Sequence, residues 1–432
     1  MHKPILLAFA AFALGAAAPA SIPEVGAPEL ARPGPAAAGV THRSVTEPDA
    51  LDALDSLAAG REIRAPRKLA LTVWYPARGS SRAQTVVYRA SLPSEPPAPP
   101  AAFTIPGFAR REAPAAGGHY PVVVISHGYS NDPAMLSWLG ENLATKGYVA
   151  VAIAHRDPPI TDRSKAPAVV LQRPLDVAAV VRRIQGGLLG PLADPSRMAL
   201  VGYSMGGMGV LAAAGGTIDG SGPPGQFIPP ALIARYGSGG AGVADMHVTG
   251  IKAMVALAPF GGAPYQVFGS SLSALHTPLL VLAGSADRTV GYEAGPAALF
   301  ASATSADRYL LTFENAGHSI GTGPAPAEMR GRLWDFDWFE DPIWRKARLN
   351  AISLHFITAF LDLQLKGDAS RLAYLAVPSE NSDKAGWTGP EAPHDAVSDG
   401  GSNPTWRGFV RNHQDGLTLR HLGPRPASAP GQ

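Results

Sequence analysis

A serine in the middle of the chain lies in a motif that constrains its surroundings more than any other segment does. Residues 202–207 are Gly-Tyr-Ser-Met-Gly-Gly, between the apolar run 198–201 and the small-residue run 208–214. This G-x-S-x-G pattern, between a predicted strand and a predicted helix, is typical of a sharp turn that exposes a nucleophilic serine. Glycines are needed there because side chains would collide with the neighbouring strand and helix. We therefore predict that Ser204 projects above a sheet, beside free N–H groups at a helix N-terminus.

Short apolar runs bounded by glycine or proline recur around this motif and predict buried strands. They cover residues 121–126, 148–154, 198–201, 251–258, 278–283 and 308–313. Helical patterns separate most of them, and residues 344–366 predict a long helix that ends at Gly367. Such alternation predicts an α/β fold, with a mostly parallel, doubly wound sheet and helices on both faces. Residues 67–75 predict a further strand that 85–89 could pair with, whereas 91–118 predict a connecting loop.

Two further side chains follow predicted strands and could complete a catalytic triad with Ser204. Asp287 comes after the run 278–283, and His318 comes after the run 308–313. Open α/β sheets place their sites at the carboxyl ends of strands, and a nucleophilic serine needs a base and an orienting acid. The sequence therefore predicts Ser204 as nucleophile, His318 as base and Asp287 as the acid. Other candidates for the base are His155, which also ends a predicted strand, and His247 and His276.

Two backbone N–H groups are predicted to bind the negative charge that develops on a substrate oxygen. Met205 directly follows the serine, so its N–H lies at the start of the predicted helix. The second donor should come from the loop after an early strand, which is Ser-His-Gly-Tyr at residues 126–129. Gly128 allows the backbone to approach a substrate closely, so Tyr129 N–H is the predicted donor. His127 is predicted to brace this loop through a hydrogen bond.

An aromatic segment at residues 329–344 follows the last predicted strand of the sheet. It contains Trp334, Phe336, Trp338 and Phe339. These side chains could cover an acyl pocket or simply bury apolar surface. Of the four, Trp334 and Trp338 are the predicted substrate contacts. No metal-ligand cluster, phosphate loop or dinucleotide-binding pattern is found in the sequence, so no cofactor and no metal are predicted.

The two ends of the chain differ from its centre in composition. A positive start, an apolar stretch at residues 5–18 and Ala-Pro-Ala at 18–20 predict a signal peptide over residues 1–20. The apolar stretch is shorter than the roughly 20 residues a spanning helix needs, so no transmembrane anchor is expected. We predict a bacterial protein that is exported to the periplasm or the medium. A flexible leader is expected over residues 21–60, because Pro, Ala and Gly dominate its first half.

The remaining boundaries follow from the same patterns. The catalytic domain is predicted over residues 61–375, with a Gly- and Pro-rich insertion at 217–250, and an irregular extension is predicted over 376–432. The formal charge is +2, from 36 basic and 34 acidic residues without a dense basic block. Nucleic acid is therefore not an expected partner.

The motifs together resemble those of a known superfamily. Val-Trp-Tyr-Pro at 73–76, Val-Val-Val-Ile-Ser-His-Gly at 122–128, the serine motif and the strand-end Asp287 and His318 are similar to those of α/β-hydrolases. Within that superfamily the chain is most similar to platelet-activating-factor acetylhydrolases and dienelactone-hydrolase-like esterases. The Ser-Met-Gly-Gly turn also resembles that of secreted polyester and cutinase-type hydrolases. The resemblance covers roughly residues 68–365 and implies an α/β-hydrolase fold with insertions near the active site.

Three features depart from these families. Many relatives have histidine before the nucleophile, where this chain has Tyr203, and this difference is expected to change packing beneath the turn. Dienelactone hydrolases use a cysteine nucleophile, and the chain contains no cysteine. The insertion and the aromatic segment have no clear counterpart in compact cutinases, which puts an open polymer-binding groove in question.

The predicted function is the cleavage of carboxylic esters through an acyl-enzyme on Ser204. The expected substrate is a small-molecule ester with a small or medium acyl group, and a lipid or a polyester is an open alternative. Amidase, peptidase or acyltransferase chemistry could use the same groups. A non-catalytic, exported binding protein on the same scaffold is the alternative from another class.

Overall fold

An eleven-stranded sheet organises the residues that the computed structural model describes, which are 24–79, 83–385, 406–410 and 412–425. Its strands are β1 (Ala37–Leu51), β2 (Arg64–Ala77), β3 (Thr85–Leu92), β4 (Ala101–Arg111), β5 (Tyr120–Ser126), β6 (Val149–Ala154), β7 (Ala193–Tyr203), β8 (Ile251–Leu257), β9 (Leu279–Gly284), β10 (Arg308–Phe313) and β11 (Leu417–Leu422). Their spatial order is β11-β10-β9-β8-β7-β5-β6-β2-β1-β4-β3. Every neighbouring pair from β10 to β6 is parallel, and β11, β2 and β3 pair antiparallel with their neighbours.

Helices cover both faces of the parallel part of the sheet. They are α1 (Ala53–Ala59), α2 (Ser137–Thr145), α3 (Ala166–Gln185), α4 (Met205–Ala213), α5 (Pro224–Phe227), α6 (Pro230–Tyr236), α7 (Val243–Met246), α8 (Ala298–Ser302), α9 (Leu333–Phe336), α10 (Lys346–Lys366) and α11 (Leu372–Leu375). Along β5, Val123 and Ile125 pack with α2 and α10 on one face, whereas Val122 and Val124 pack with α3 and α4 on the other. Such strands, apolar on both faces, are what a doubly wound sheet requires. The predicted fold class is confirmed.

The flexible leader expected over residues 21–60 is not found where the structure describes that segment. Residues 37–51 form β1, which pairs antiparallel with β2, and Val40 lies opposite Trp74. Residues 53–59 form α1, which Asp52 caps by accepting a hydrogen bond from the Asp55 N–H. The sequence conceals β1 because its buried residues do not alternate with exposed ones and because small or polar residues, Ala38, Gly39 and Thr41, make up most of the buried run at 38–41.

Two other expectations for the edges of the sheet need correction. Residues 101–111, expected within a connecting loop, form β4, and β3 pairs with β4 rather than with β2. The extension 376–432, expected to be irregular until residues 416–422, is not separate from the catalytic domain, because those residues contribute β11, which lies antiparallel beside β10. Trp406, also in that extension, is buried. The sheet therefore extends beyond the predicted domain limits of 61 and 375 at both ends of the chain.

The insertion at residues 217–250 contains three short helices, α5 to α7, and packs over α3. Arg182 on α3 donates hydrogen bonds to the carbonyl groups of Ala244, Asp245 and His247. The Tyr236 hydroxyl, at the end of α6, donates to the Glu62 carboxylate 3.1 Å away. These contacts tie the insertion to the sheet face that α3 covers.

The predicted signal peptide, residues 1–20, lies outside the described residues. Within the described part of the chain, no helix is both long enough and apolar enough to cross a membrane.

A buried chain of hydrogen bonds attaches the β3–β4 hairpin to α2. The Trp74 indole N–H donates to the Tyr88 hydroxyl (2.6 Å), which donates to Oε1 of Glu141 (2.7 Å). The Glu141 carboxylate also accepts from the N–H groups of Phe108 and Ala109 on β4. Burial raises the pKa of Glu141, although these hydrogen bonds oppose the shift. Trp74, Tyr88 and Glu141 are buried from water, so their polar atoms depend on one another for hydrogen bonds.

Candidate active site

Ser204 lies at the sharp turn between β7 and α4, in a backbone conformation that residues other than glycine rarely adopt. Its φ is 55° and its ψ is −117°. Two hydrogen bonds hold the residue in place, since its N–H donates to Leu257 O (2.8 Å) and its carbonyl accepts from Phe260 N–H (3.0 Å). A Cβ atom at Gly202 would lie 2.2 Å from the carbonyl oxygen of Gly206. The surrounding structure thus maintains a strained serine, which is typical of a functional site.

The structure brings together the three side chains that the sequence predicted as a triad. Oγ of Ser204 lies 3.0 Å from Nε2 of His318, and Nδ1 of His318 lies 2.7 Å from Oδ2 of Asp287. The other carboxylate oxygen of Asp287 accepts hydrogen bonds from the N–H groups of Thr289 and Val290. The Asp287 side chain is fully buried, whereas that of His318 is 16% exposed. The buried Asp287 therefore fixes the His318 ring through Nδ1, while part of the ring remains accessible to solvent.

The environment of Asp287 determines which nitrogen of His318 carries a proton. Burial alone would raise the pKa of Asp287, but the hydrogen bond and charge interaction with His318 and the two backbone N–H groups outweigh it, and the pKa is lowered. An ionised carboxylate can only accept hydrogen bonds. Nδ1 of His318 must therefore donate to Asp287, which leaves Nε2 to accept the proton of the Ser204 hydroxyl.

The predicted oxyanion donors lie in two segments that contact each other. Met205 begins α4, and Tyr129 lies in the loop after β5. Within the described residues, neither backbone N–H makes a hydrogen bond. A Cβ atom at Gly206 would lie 2.1 Å from the carbonyl oxygen of Ser126, so only glycine lets α4 approach this loop so closely. The side chains of Tyr129 and Met205 join one apolar cluster.

A second serine, histidine and aspartate have the same hydrogen-bond pattern but no access to solvent. Oγ of Ser126 lies 2.9 Å from Nε2 of His155, and Nδ1 of His155 lies 2.8 Å from Oδ2 of Asp176. The His155 side chain is completely buried. Of the other candidate bases, His247 lies 3.2 Å from the Gly216 carbonyl oxygen and His276 is exposed. Only His318 is hydrogen-bonded to Ser204 among the described histidines.

The aromatic segment at residues 329–344 holds the loop that carries His318. Oδ2 of Asp341 accepts a hydrogen bond from Gly317 N–H (2.6 Å), and the Ser319 hydroxyl donates to Asp337 O (2.6 Å). The ammonium group of Lys346 donates to the carbonyl oxygen of Ser319. Burial lowers the pKa of Lys346 to about 7, although Glu340 and Asp341 oppose the shift. Sequence reasoning missed this role, because nothing in the segment's composition indicates which loop it contacts.

The opposite side of this segment packs on the β3–β4 hairpin. Trp334 is 37% exposed, and its indole N–H donates to the carbonyl oxygen of Pro93 (3.2 Å). Phe339 is buried edge-on against Phe103, at 5.3 Å between ring centroids, and Trp338 packs against the same cluster. These contacts bury much of the aromatic surface of the segment against the hairpin. The substrate contacts predicted for Trp334 and Trp338 stay predictions.

Tyr203, which directly precedes Ser204, packs against the ring of His318. Its ring lies 5.4 Å from the His318 ring, and its hydroxyl donates to the His318 carbonyl oxygen (3.2 Å). A Cβ atom at Gly321 would lie 2.3 Å from this ring. Tyr203 therefore supports the position of the His318 loop.

Within the described part of the chain, no three His, Asp or Glu side chains are grouped so that they could hold a metal ion.

Comparison with known proteins supports the same interpretation of the central segment. Residues 112–219, which include the loop after β5 and the Ser204 turn, match a family of PET hydrolase-like domains. Cutinase est2 of Thermobifida alba is 32% identical over 104 residues, which are 23% of this chain and 32% of that protein. Cutinase 2 of Thermobifida cellulosilytica is 34% identical over 105 residues, which are 23% of this chain and 37% of that protein. The chain thus spans about a third of the length of the curated relatives it matches.

A solved structure shares the fold over a larger part of the chain. The ferulic acid esterase of Streptomyces cinnamoneus superposes with a TM-score of 0.52 and 21% identity, over 80% of this chain and 95% of that one. At that identity the likeness shows the fold alone. Together with the strand order and the PET hydrolase-like segment, it confirms that the chain has the α/β-hydrolase fold predicted from its motifs.

The buried His155 predicts a specific dependence of stability on pH. Burial and the nearby Arg173 charge lower its pKa to about 4, although Asp176 favours the protonated form. An unfolded histidine takes up its proton near pH 6.5. Between these values the unfolded chain binds more protons than the folded one. The free energy of unfolding should therefore fall as the pH decreases from about 6.5 to 4, by about 2–3 kcal/mol from His155 alone.

Urea unfolding at constant ionic strength across this range measures the effect. Burial also lowers the pKa of His127 and His355, so both act in the same direction. Asp287, whose pKa is lowered, loses its stabilising contribution at still lower pH. An unfolding free energy that stays constant from pH 6.5 to 4 would contradict the prediction.

Proposed function

We propose that this protein is an exported serine hydrolase that cleaves carboxylic esters. The observation that carries the proposal is the continuous hydrogen-bonded chain from buried Asp287 through His318 to Ser204, at 2.7 and 3.0 Å, on a strained turn. The similarity of residues 112–219 to PET hydrolase-like domains and of shorter stretches to cutinases supports the same chemistry. The serine, the base, the acid and two free N–H groups together supply what acyl transfer needs.

The reaction proceeds in two halves. Oγ of Ser204 attacks the ester carbonyl carbon while Nε2 of His318 accepts the hydroxyl proton. The N–H groups of Tyr129 and Met205 bind the resulting oxyanion, and Asp287 stabilises the imidazolium. His318 then gives its proton to the departing alcohol, which leaves an acyl group on Ser204. Water, deprotonated by His318, attacks this acyl-enzyme, and the carboxylic acid leaves as Ser204 regains its proton.

The proposed substrate class rests on the apolar surroundings of the nucleophile. Tyr129 and Met205, which flank Ser204, belong to an apolar cluster in which Met208 and Phe268 lie buried beneath them. We therefore expect the surface beside Ser204 that these two residues provide to be apolar rather than charged. We propose esters with small or medium apolar acyl groups, either as soluble molecules or as units of a polyester.

Covalent labelling tests the nucleophile. A fluorescent organophosphonate should label the wild-type protein, and Ser204→Ala should abolish both labelling and ester hydrolysis. Because triad members act as a unit, His318→Ala should lose a comparable amount of kcat, approaching roughly 10⁶-fold. Ser126→Ala is the matched control, since this serine has the same hydrogen-bond pattern in a buried site, and it should still be labelled. Normal turnover by His318→Ala, with His155→Ala inactive, would reassign the base.

Export is tested at the N-terminus. Ala18 and Ala20 are small enough for the subsites of a signal peptidase, so the mature chain should begin at Ser21. N-terminal sequencing of protein recovered from the periplasm or the medium measures this directly. A membrane-bound product that retains Met1 would contradict export by this route.

The substrate contact proposed for Trp338 is tested by varying acyl length. If its ring contacts the acyl chain, Trp338→Ala should reduce kcat/KM more for longer p-nitrophenyl esters than for the acetate, by about 0.8 kcal/mol per buried methylene. Phe339→Ala is the matched control, because this neighbouring ring is fully buried and should affect stability alone. A uniform loss across chain lengths, in parallel with a lower thermal midpoint, would mean that Trp338 belongs to the core.

A further inference from the structure

The Arg173 side chain on α3 is a completely buried cation directly beneath the loop that carries Tyr129. Its guanidinium group donates to the carbonyl oxygen of His127 (2.5 Å) and to that of Gly128 (2.9 Å). The only charge paired with it among the described residues is the carboxylate of Asp157, which it contacts through both Nε and Nη2. A fourth partner is Ser126, whose Oγ lies 3.3 Å from Nη1 of Arg173. A guanidinium group has five N–H donors in a fixed planar fork, whereas an ammonium group has three donors at a single point.

Asp157 extends the same support to the far end of the loop. Its Oδ2 accepts a hydrogen bond from Ser130 N–H (3.0 Å), and the Ser130 hydroxyl donates to Pro158 O (3.0 Å). Ser130 has a φ of 54°, in the left-handed region that side chains disfavour. The Arg173–Asp157 pair therefore holds the loop at residues 127, 128 and 130, on both sides of Tyr129.

The geometry of one peptide bond links these contacts to the oxyanion site. The Gly128–Tyr129 bond is trans, so its carbonyl group and its N–H group point in opposite directions. The Gly128 carbonyl is held by Arg173 and by Nδ1 of His127, which lies 2.7 Å away. The Tyr129 N–H must therefore point away from Arg173. Rotation of this peptide would require both hydrogen bonds to the Gly128 carbonyl to break.

We propose that Arg173 and Asp157 are positioning residues that orient the Tyr129 N–H towards the oxyanion. The inference rests on the ester hydrolysis proposed above. A cation at the carbonyl end of the peptide also polarises it, which strengthens the N–H as a donor. Arg173 acts through the backbone and does not touch the substrate.

A second arginine–aspartate pair on α3 provides a control. Arg67 on β2 forms a bidentate pair with the buried Asp176 of α3, at 2.6 and 2.7 Å, and so resembles Arg173 in its partner, although its side chain is 17% exposed. Arg67 donates no hydrogen bond to a carbonyl of the loop at 126–130. If buried ion pairs here matter only for folding, variants of Arg67 and Arg173 should behave alike.

The test compares Arg173→Lys, Asp157→Asn and Arg67→Lys with the wild type. A lysine at 173 can bind only part of the acceptor set, so kcat for p-nitrophenyl acetate should fall about 10²-fold with KM nearly unchanged. Affinity for an aryl trifluoromethyl ketone should fall by a similar factor, because its adduct with Ser204 places an oxyanion between the two donors. Asp157→Asn keeps the shape of the side chain but removes its charge, so kcat and ketone affinity should both fall less than in Arg173→Lys. Arg67→Lys should keep wild-type kcat and ketone affinity even if its thermal midpoint is lower.

Several outcomes would overturn the inference. One is a folded Arg173→Lys protein with wild-type kcat and ketone affinity, and another is an equal loss in Arg67→Lys. If Arg173→Lys does not fold, wild-type kcat and ketone affinity in Asp157→Asn would overturn it instead. A wild-type protein without esterase activity would contradict the proposed function itself, whereas an active wild-type protein and an equally active Arg173→Lys protein would contradict this inference alone.

Discussion

The close contact between α4 and the end of β5 is the constraint on which the site depends. With glycine at position 206, the first turn of α4 lies so near the Ser126 carbonyl that any Cβ atom would overlap it. This contact sets the separation between the helix that begins at Met205 and the loop that contains Tyr129. A larger residue at position 206 would force the helix and the loop apart. The N–H groups of Met205 and Tyr129, the predicted oxyanion donors, would then be too far apart to bind the same oxygen atom. The strained turn at Ser204 is thus one part of a tightly packed junction between two strand ends.

The two sets of serine, histidine and aspartate have the same hydrogen-bond pattern and differ in burial. His155 and His318 have almost the same distances to their partners. His155, however, is sealed between the sheet and α3, where no substrate reaches it and its low pKa keeps it neutral. His318 is exposed on one side, and its serine lies in a strained conformation at a helix N-terminus. The same chemical groups therefore stabilise the fold in one place and are available for chemistry in the other.

The central strands, and the proximity of Ser204, His318 and Asp287, could be predicted because their signals are local. Each apolar run that forms a parallel strand is continuous, and Asp287 and His318 each follow one directly. Three strands outside the parallel centre of the sheet, β1, β4 and β11, carry no such signal. β1 and β11 become strands only beside partners that lie elsewhere in the sequence, so their own composition indicated a leader and an irregular extension.

Arg173 could not be assigned a role from sequence for a related reason. Arg173 lies on the apolar face of α3, and in the sequence this position alone indicates that its charge is buried. Its partners, however, come from β5 and from the loop after β6, and only the folded chain shows them. The contact between residues 329–344 and the His318 loop was missed for the same reason, since composition does not specify a docking position.

The segment at residues 329–344 connects two parts of the molecule that do not adjoin in sequence. On one side Asp341 holds the backbone at Gly317, and on the other Asp335 accepts a hydrogen bond from Ser94 at the end of the β3–β4 hairpin. A displacement of the hairpin would therefore reach the His318 loop through this segment, without any change in the parallel strands of the sheet. For protein engineering, the outer surface of the hairpin is a place where the alignment of His318 can be tuned while the residues around Ser204 are left untouched.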